Sequence, residues 1–153
     1  MESILYKSKA KFLKFCHTFT AFKILGIDYG YKRTGVAVYN SKINMPLHKP
    51  IILNILDNFT TVLSIIKYEA INSIVIGLPL KKNGIPSNNF VEIKTLCKHF
   101  KSKTNLPYCL TDERYTTTLA NVLLKQLNIK RKKRNMCDDQ LSASIMIDNF
   151  FYL

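Results

Sequence analysis

At 153 residues, 47% of them apolar, the chain is long enough for one packed domain and too apolar to be disordered. No run approaches the ~18 uninterrupted apolar residues that a membrane span needs, so no membrane partner is expected. With 23 Lys and Arg against 10 Asp and Glu, a net charge of +13, the expected partner is a polyanion, nucleic acid first; a generic basic surface is the plainer alternative.

Residues 1–22 carry four Lys and one acid among several aromatics and read as a basic N-terminal extension, helical or poorly ordered. Residues 23–153 read as the functional domain. There an apolar strand (Ile24, Leu25, Ile27) runs into a single carboxylate, Asp28. The turn Tyr29-Gly30-Tyr31-Lys32-Arg33 follows, then a second apolar strand, Gly35 to Tyr39, which makes a hairpin. A charge at the end of a buried strand needs a positive partner, either a basic side chain or a metal ion.

A third strand, Ile43–Leu47 with Pro50–Leu53, is interrupted by Pro46 and Pro50 and so belongs at a sheet edge. Asp57 is the expected N-cap of a helix over 59–70, with Phe59, Val62, Leu63, Ile66 and Ala70 at helical spacing. Ile74-Val75-Ile76 is fully apolar, as in a central parallel strand buried on both faces. Gly77-Leu78-Pro79-Leu80 and the turn Lys81-Lys82-Asn83-Gly84 come next, and the two lysines suit a phosphate chain.

A helix is expected over 90–101 with Val91, Leu96 and Phe100 inward, then a strand over 108–110 that delivers Thr111-Asp112-Glu113-Arg114. A helix over 117–127 precedes five consecutive basic residues, Lys130, Arg131, Lys132, Lys133 and Arg134. That run is either a solvated loop or a phosphate contact. The last helix is expected to begin near Asp138, which leaves Asp138 or Asp139 open to reading as a cap. The order β-β-β-α-β-α-β-α-α implies a mixed sheet flanked by helices. Cys16, Cys97, Cys109 and Cys137 share no CxxC spacing and read as buried free thiols.

Five of the ten acids fall in three places: Asp28, Asp112 with Glu113, and Asp138 with Asp139. If the fold gathers them, oxygen donors of this kind suit Mg²⁺ or Mn²⁺. Two such ions would clamp a phosphodiester in line, with metal-bound water as nucleophile. His17, His48 and His99 have no ligand spacing for zinc, and no nucleophilic triad is evident.

GIDYGYKRTGVAV, IVIGLPLKKNG, TDERYTT and DDQLSASIMI, in this order, resemble the YqgF/RuvX family over roughly residues 23–152. The resemblance implies a ribonuclease H-like α/β fold: a five-stranded mixed sheet, its first three strands antiparallel and the remainder parallel, with an acidic triad at one edge. It implies a cytoplasmic, metal-dependent nuclease tied to 5′-end maturation of pre-16S rRNA, working as monomer or homodimer on RNA, with ribosomal particles as further partners. Asp28, Glu113 and Asp139 match the family's acids, and Asp138 doubles the last of them. Arg114 can pair with a carboxylate or grip a phosphate. Lys32 and Arg33 suit either the substrate backbone or neutralisation of the acids.

Three other functions fit parts of this pattern. A Holliday junction resolvase keeps the chemistry on four-way DNA and requires a dimer. An ATP-binding domain would use the GIDYG turn as a phosphate loop but needs a second lobe. A non-catalytic RNA-binding assembly factor would bind with strong salt dependence and no turnover.

Overall fold

The computed structural model describes residues 5–6, 8–78, 80, 89–112 and 131–152, the backbone alone for 131–140, Tyr6 and Tyr152. The expected helix over 117–127 lies outside these residues, as do Glu113, Arg114, Lys81, Lys82 and Lys130.

Six strands form one mixed sheet in the order β1-β6-β5-β2-β3-β4. They are β1 (Leu5–Tyr6), β2 (Lys23–Asp28), β3 (Arg33–Asn40), β4 (Met45–Leu53), β5 (Ser73–Leu78) and β6 (Tyr108–Asp112). The five expected strands are all present, with β2, β3 and β4 antiparallel and β5 and β6 parallel to β2 and to each other. The sixth, β1, comes from the N-terminal segment and pairs in parallel with β6.

The helices are α1 (Lys9–Cys16), α2 (Phe59–Glu69), α3 (Phe90–Lys103) and α4 (Arg131–Tyr152). They cover the sheet on both faces. On one, Leu25, Ile27, Val36, Val38, Ile74 and Ile76 pack with Phe59 and Val62 of α2 and Ile93, Leu96 and Phe100 of α3. On the other, Ile24, Ala37, Tyr39, Val75 and Cys109 pack with Phe12 and Cys16 of α1 and Ala143, Met146, Ile147 and Phe150 of α4. Phe12 meets Phe150 edge to face at 5.7 Å, and Cys16 Sγ lies 3.3 Å from Ser73 Oγ, so α1 is part of the core.

Four local expectations give way to the structure. Asn58, not Asp57, is the N-cap of α2, because a tight turn with Asn54 at positive φ takes Asp57 into its hydrogen bond to the Asn54 carbonyl, 2.9 Å. Ala70 is the left-handed C-cap of that helix and not its last inward residue. In α3, Ile93 takes the place expected for Val91. The inward stripe is Ile93, Leu96 and Phe100, and Val91, two residues off it, is 69% exposed. Finally, α4 begins at Arg131 and takes Arg131–Arg134 of the basic run into the helix. Lys and Arg are good helix formers, and no Gly or Pro interrupts 131–152. Asp138 and Asp139 therefore lie about two turns inside the helix and cap nothing.

At the start of β2, Lys49 and Lys23 both donate to Glu69 at the end of α2, the Lys23 pair at 3.1 Å. The hydrogen bond from Lys49 first, then that from Lys23, holds the Glu69 carboxyl below its ordinary 4.5 despite burial. A depressed folded-state value stabilises the fold above the unfolded value, and that stability is lost as pH falls through the folded one. Unfolding free energy measured by urea should therefore drop on acidification below about pH 4.5. Glu69→Gln should flatten this part of the curve. An unchanged pH slope in the variant would remove Glu69 from the explanation.

Cys16, Cys97 and Cys109 are free thiols, and burial pushes Cys97 and Cys109 up to about 11. Thiolate is the reactive form. Iodoacetamide near pH 7.5 should leave these three unlabelled in the folded protein and label them in urea, as read by peptide mass mapping.

Candidate nuclease site

The β2–β3 hairpin is closed by Gly30, where an added Cβ would stand 2.2 Å from the Arg33 carbonyl oxygen; only glycine fits that approach. Asp28 is the last residue of β2 and is half-buried. Alternation along β2 puts it on the face of Ile24 and Gly26, the face that α4 covers.

Its register neighbours on the two adjacent strands are glycines. Asp28 pairs with Gly35 on β3, and Ile27 pairs with Ile76, so the next residue on β5 is Gly77. Gly35 also sits at a bulge, where the pairing of β3 with β4 shifts between Thr34 and Val36. Beyond Gly77 lies its partner Thr111 on β6. The carboxylate is thus flanked by two buried glycines at the C-terminal ends of parallel strands, where open α/β sheets bind their ligands.

The helix α4 crosses this face antiparallel to β2. Phe151 stacks on Tyr39, the cross-strand partner of Ile24, with centroids 4.0 Å apart, and Ile147 lies against Gly26. Going back along α4, Ala143 is the next residue of the buried stripe. Asp139 stands four residues before Ala143, at the centre of that stripe. Asp138 is set about 100° away from it. From Ile147 back to position 139 the helix rises about 12 Å. From Gly26 to Asp28 the strand rises about 7 Å. Going back from Phe151 and Ile147, α4 therefore runs toward the Asp28 end of β2.

Asp112 pairs with Leu78 and alternates onto the opposite face from Thr111. Of the basic residues singled out, Lys32 is exposed in the β2–β3 turn and Arg33 opens β3, while Arg131, Lys132, Lys133 and Arg134 form the first turn of α4. Among the described residues no three His, Cys, Asp or Glu side chains gather closely enough to hold a metal ion. Of the three expected ligands, Asp28 alone has a described side chain. Its hard oxygen donor fits Mg²⁺ or Mn²⁺ better than a softer metal.

A second feature was not legible in the sequence. A groove of about 690 Å³ opens beside the hairpin turn, lined by Tyr29, Tyr31, Lys32, Arg33, Leu53–Asp57 and Glu92 of α3. Glu92 looks like an ordinary solvated helix acid in the sequence, yet its Oε2 is shielded from solvent and accepts no hydrogen bond.

The family profile described as RuvX, Holliday junction resolvase, matches residues 22–152. The chain belongs to the RuvX family. Its curated relatives include two proteins named "Putative pre-16S rRNA nuclease". One, from Rickettsia canadensis (strain McKiel), is 38% identical over 82% of this chain and 83% of its own length. The other, from Orientia tsutsugamushi (strain Ikeda), is 41% identical over 82% and 81%.

Among solved structures, the fowlpox virus Holliday junction resolvase superposes with a TM-score of 0.51 at 16% identity, over 86% of this chain and all of that one. T. thermophilus RuvC in complex with a Holliday junction substrate gives 0.52 at 13%, over 86% and 94%. The fold is the ribonuclease H-like one, its five-stranded core running 3-2-1-4-5, here extended at one edge by β1. As a RuvX member the chain is a nuclease, a hydrolase acting on phosphodiester bonds. Among the described residues no helix is long and apolar enough to cross a membrane.

Proposed function

We propose that this RuvX member is a cytoplasmic, divalent-metal-dependent nuclease that trims the 5′ end of pre-16S rRNA, with Asp28, Glu113 and Asp139 as its catalytic metal ligands. The observation that carries this reading is the position of Asp28: a half-buried carboxylate between two glycines at the C-terminal edge of the sheet, on the face crossed by α4. The stripe of α4 supports Asp139 over Asp138.

Bound Mg²⁺ or Mn²⁺ would supply a water acidified toward neutrality and offset the charge of the phosphate. The chain's own part is to hold and orient. Asp28 stands at the end of β2, and Lys32 and Arg33 in the turn that follows hold the strand beside it. Further phosphate contacts fall, in this reading, to Lys81, Lys82, Arg114, Lys130, Arg131, Lys132, Lys133 and Arg134. Water oxygen bonds to phosphorus, the bond from phosphorus to O3′ breaks, O3′ takes a proton, and a 5′-phosphate remains.

The test is cleavage of a pre-16S 5′ transcript, an unstructured RNA and a four-way DNA junction side by side, with Mg²⁺, Mn²⁺ or EDTA. Metal-dependent cutting of the RNA precursor is expected. Symmetric cutting of the junction by a dimer would favour the second reading, a Holliday junction resolvase, which the family's description supports. Within the active protein, Asp139→Asn should abolish cleavage and Asp138→Asn should leave it within about threefold. The reverse order would reassign the ligand.

A further inference from the structure

We propose that the groove between the β2–β3 turn, the end of β4 and α3 receives one unpaired guanine of the RNA strand, read by the Glu92 carboxylate. The inference deepens the reading of the chain as an RNA nuclease and gives it a base preference.

The groove has the volume and character of a base site. At about 690 Å³ it falls within the range of small-ligand pockets, and Ile55, Leu56 and Tyr29 give it an apolar floor. Tyr31, 67% exposed, stands at its rim where a base can stack. Lys32 and Arg33 are on the same rim, on the hairpin that also carries Asp28, so a phosphate held there places its base over the groove. Asp28 lies on the α4 face of the sheet and the groove on the α3 face, so a strand engaged at Asp28 reaches the groove by passing around the hairpin turn.

Glu92 sets the preference. A carboxylate oxygen shielded from water and without a donor is costly, and a ligand that donates to it recovers that cost. An ionised carboxylate only accepts, and accepts best from two parallel N–H groups. Guanine offers that pair, N1–H and the N2 amino group, on one edge. Adenine, cytosine and uracil each offer a single donor position there. Asp57 also borders the groove but is exposed and remains hydrated.

The test is binding in EDTA, read by calorimetry with GMP, IMP, AMP, CMP and UMP, and by fluorescence anisotropy with UUUGUU and UUUUUU. Wild-type protein should bind GMP about tenfold more tightly than AMP, CMP or UMP, with IMP, which lacks the amino group, between them. UUUGUU should bind more tightly than UUUUUU, and pairing the guanine in a duplex should erase the gain. Glu92→Gln should bring the five mononucleotides to near-equal affinity, and Tyr31→Ala should weaken all five.

Equal affinities in the wild type, or a guanine preference that survives Glu92→Gln, would overturn the proposal. So would a preference for GMP with none for the guanine-bearing RNA, which would mark a free-nucleotide site. The wild-type comparison of GMP with IMP needs no variant to fold. Because no arm requires turnover, failure to cleave any substrate would strike the nuclease reading and leave this one standing.

Discussion

Asp28→Asn should lower metal-dependent RNA cleavage by at least about a thousandfold, ~4 kcal/mol in the barrier, while RNA binding stays within about threefold of wild type. The asymmetry follows from where the charge sits. Affinity for the strand comes from Lys and Arg contacts to phosphate, and a carboxylate beside that path, if anything, opposes it. The change from Asp to Asn keeps shape and hydrogen-bonding capacity, so the pairing of Asp28 with Gly35 should survive. Single-turnover cleavage with excess enzyme and filter binding at matched salt separate the two quantities. Near-normal cleavage by the pure variant would remove Asp28 from the chemistry.

The second large effect is expected at Gly26, where β2 and α4 are in closest contact. A Cβ built there would stand 2.1 Å from Ile147 Cδ1 and 2.4 Å from Cγ1, in a core where Ile147 is fully buried. Gly26→Ala alone should cost about 1–3 kcal/mol through overpacking. Ile147→Ala alone should cost about 2–5 kcal/mol through the cavity it leaves. The Ile147→Ala change removes both clashing atoms, so the double variant should be more stable than the sum of the singles by about 1–2 kcal/mol. Urea unfolding of the four proteins measures this coupling. Strict additivity would mean that α4 does not rest on β2 at this point. The same contact fixes how far along β2 the helix carries position 139, so Gly26→Ala should also depress cleavage more than its stability loss explains.

What could be read before folding was whatever has a short-range signature. The hairpin announces itself through two β-branched runs around Gly30, and Ile74-Val75-Ile76 through its unbroken apolarity; both lie where expected. Asp28 was legible because a lone acid closes an apolar strand in a basic chain. The misses have tertiary causes. Leu5–Tyr6 is too short to show a period and becomes a strand only because β6 leaves an edge free for it. Val91 is apolar yet exposed, because the stripe of α3 is chosen by the sheet it packs on. The start of α4 was hidden because the four cations Arg131–Arg134 at a helix N-terminus oppose the helix dipole, which makes the run look like loop. The glycine-flanked carboxylate and the groove at Glu92 depend on register between distant segments, which no local pattern records.

The most direct measurement is Mn²⁺ binding by electron paramagnetic resonance, in the absence of nucleic acid, on wild-type protein and on Asp28→Asn, Glu113→Gln and Asp139→Asn. If the three acids converge on one centre, the wild type binds Mn²⁺ and each single substitution weakens that binding by a similar factor, about tenfold or more. Binding that is lost in Asp28→Asn but untouched in both Glu113→Gln and Asp139→Asn would contradict the shared site.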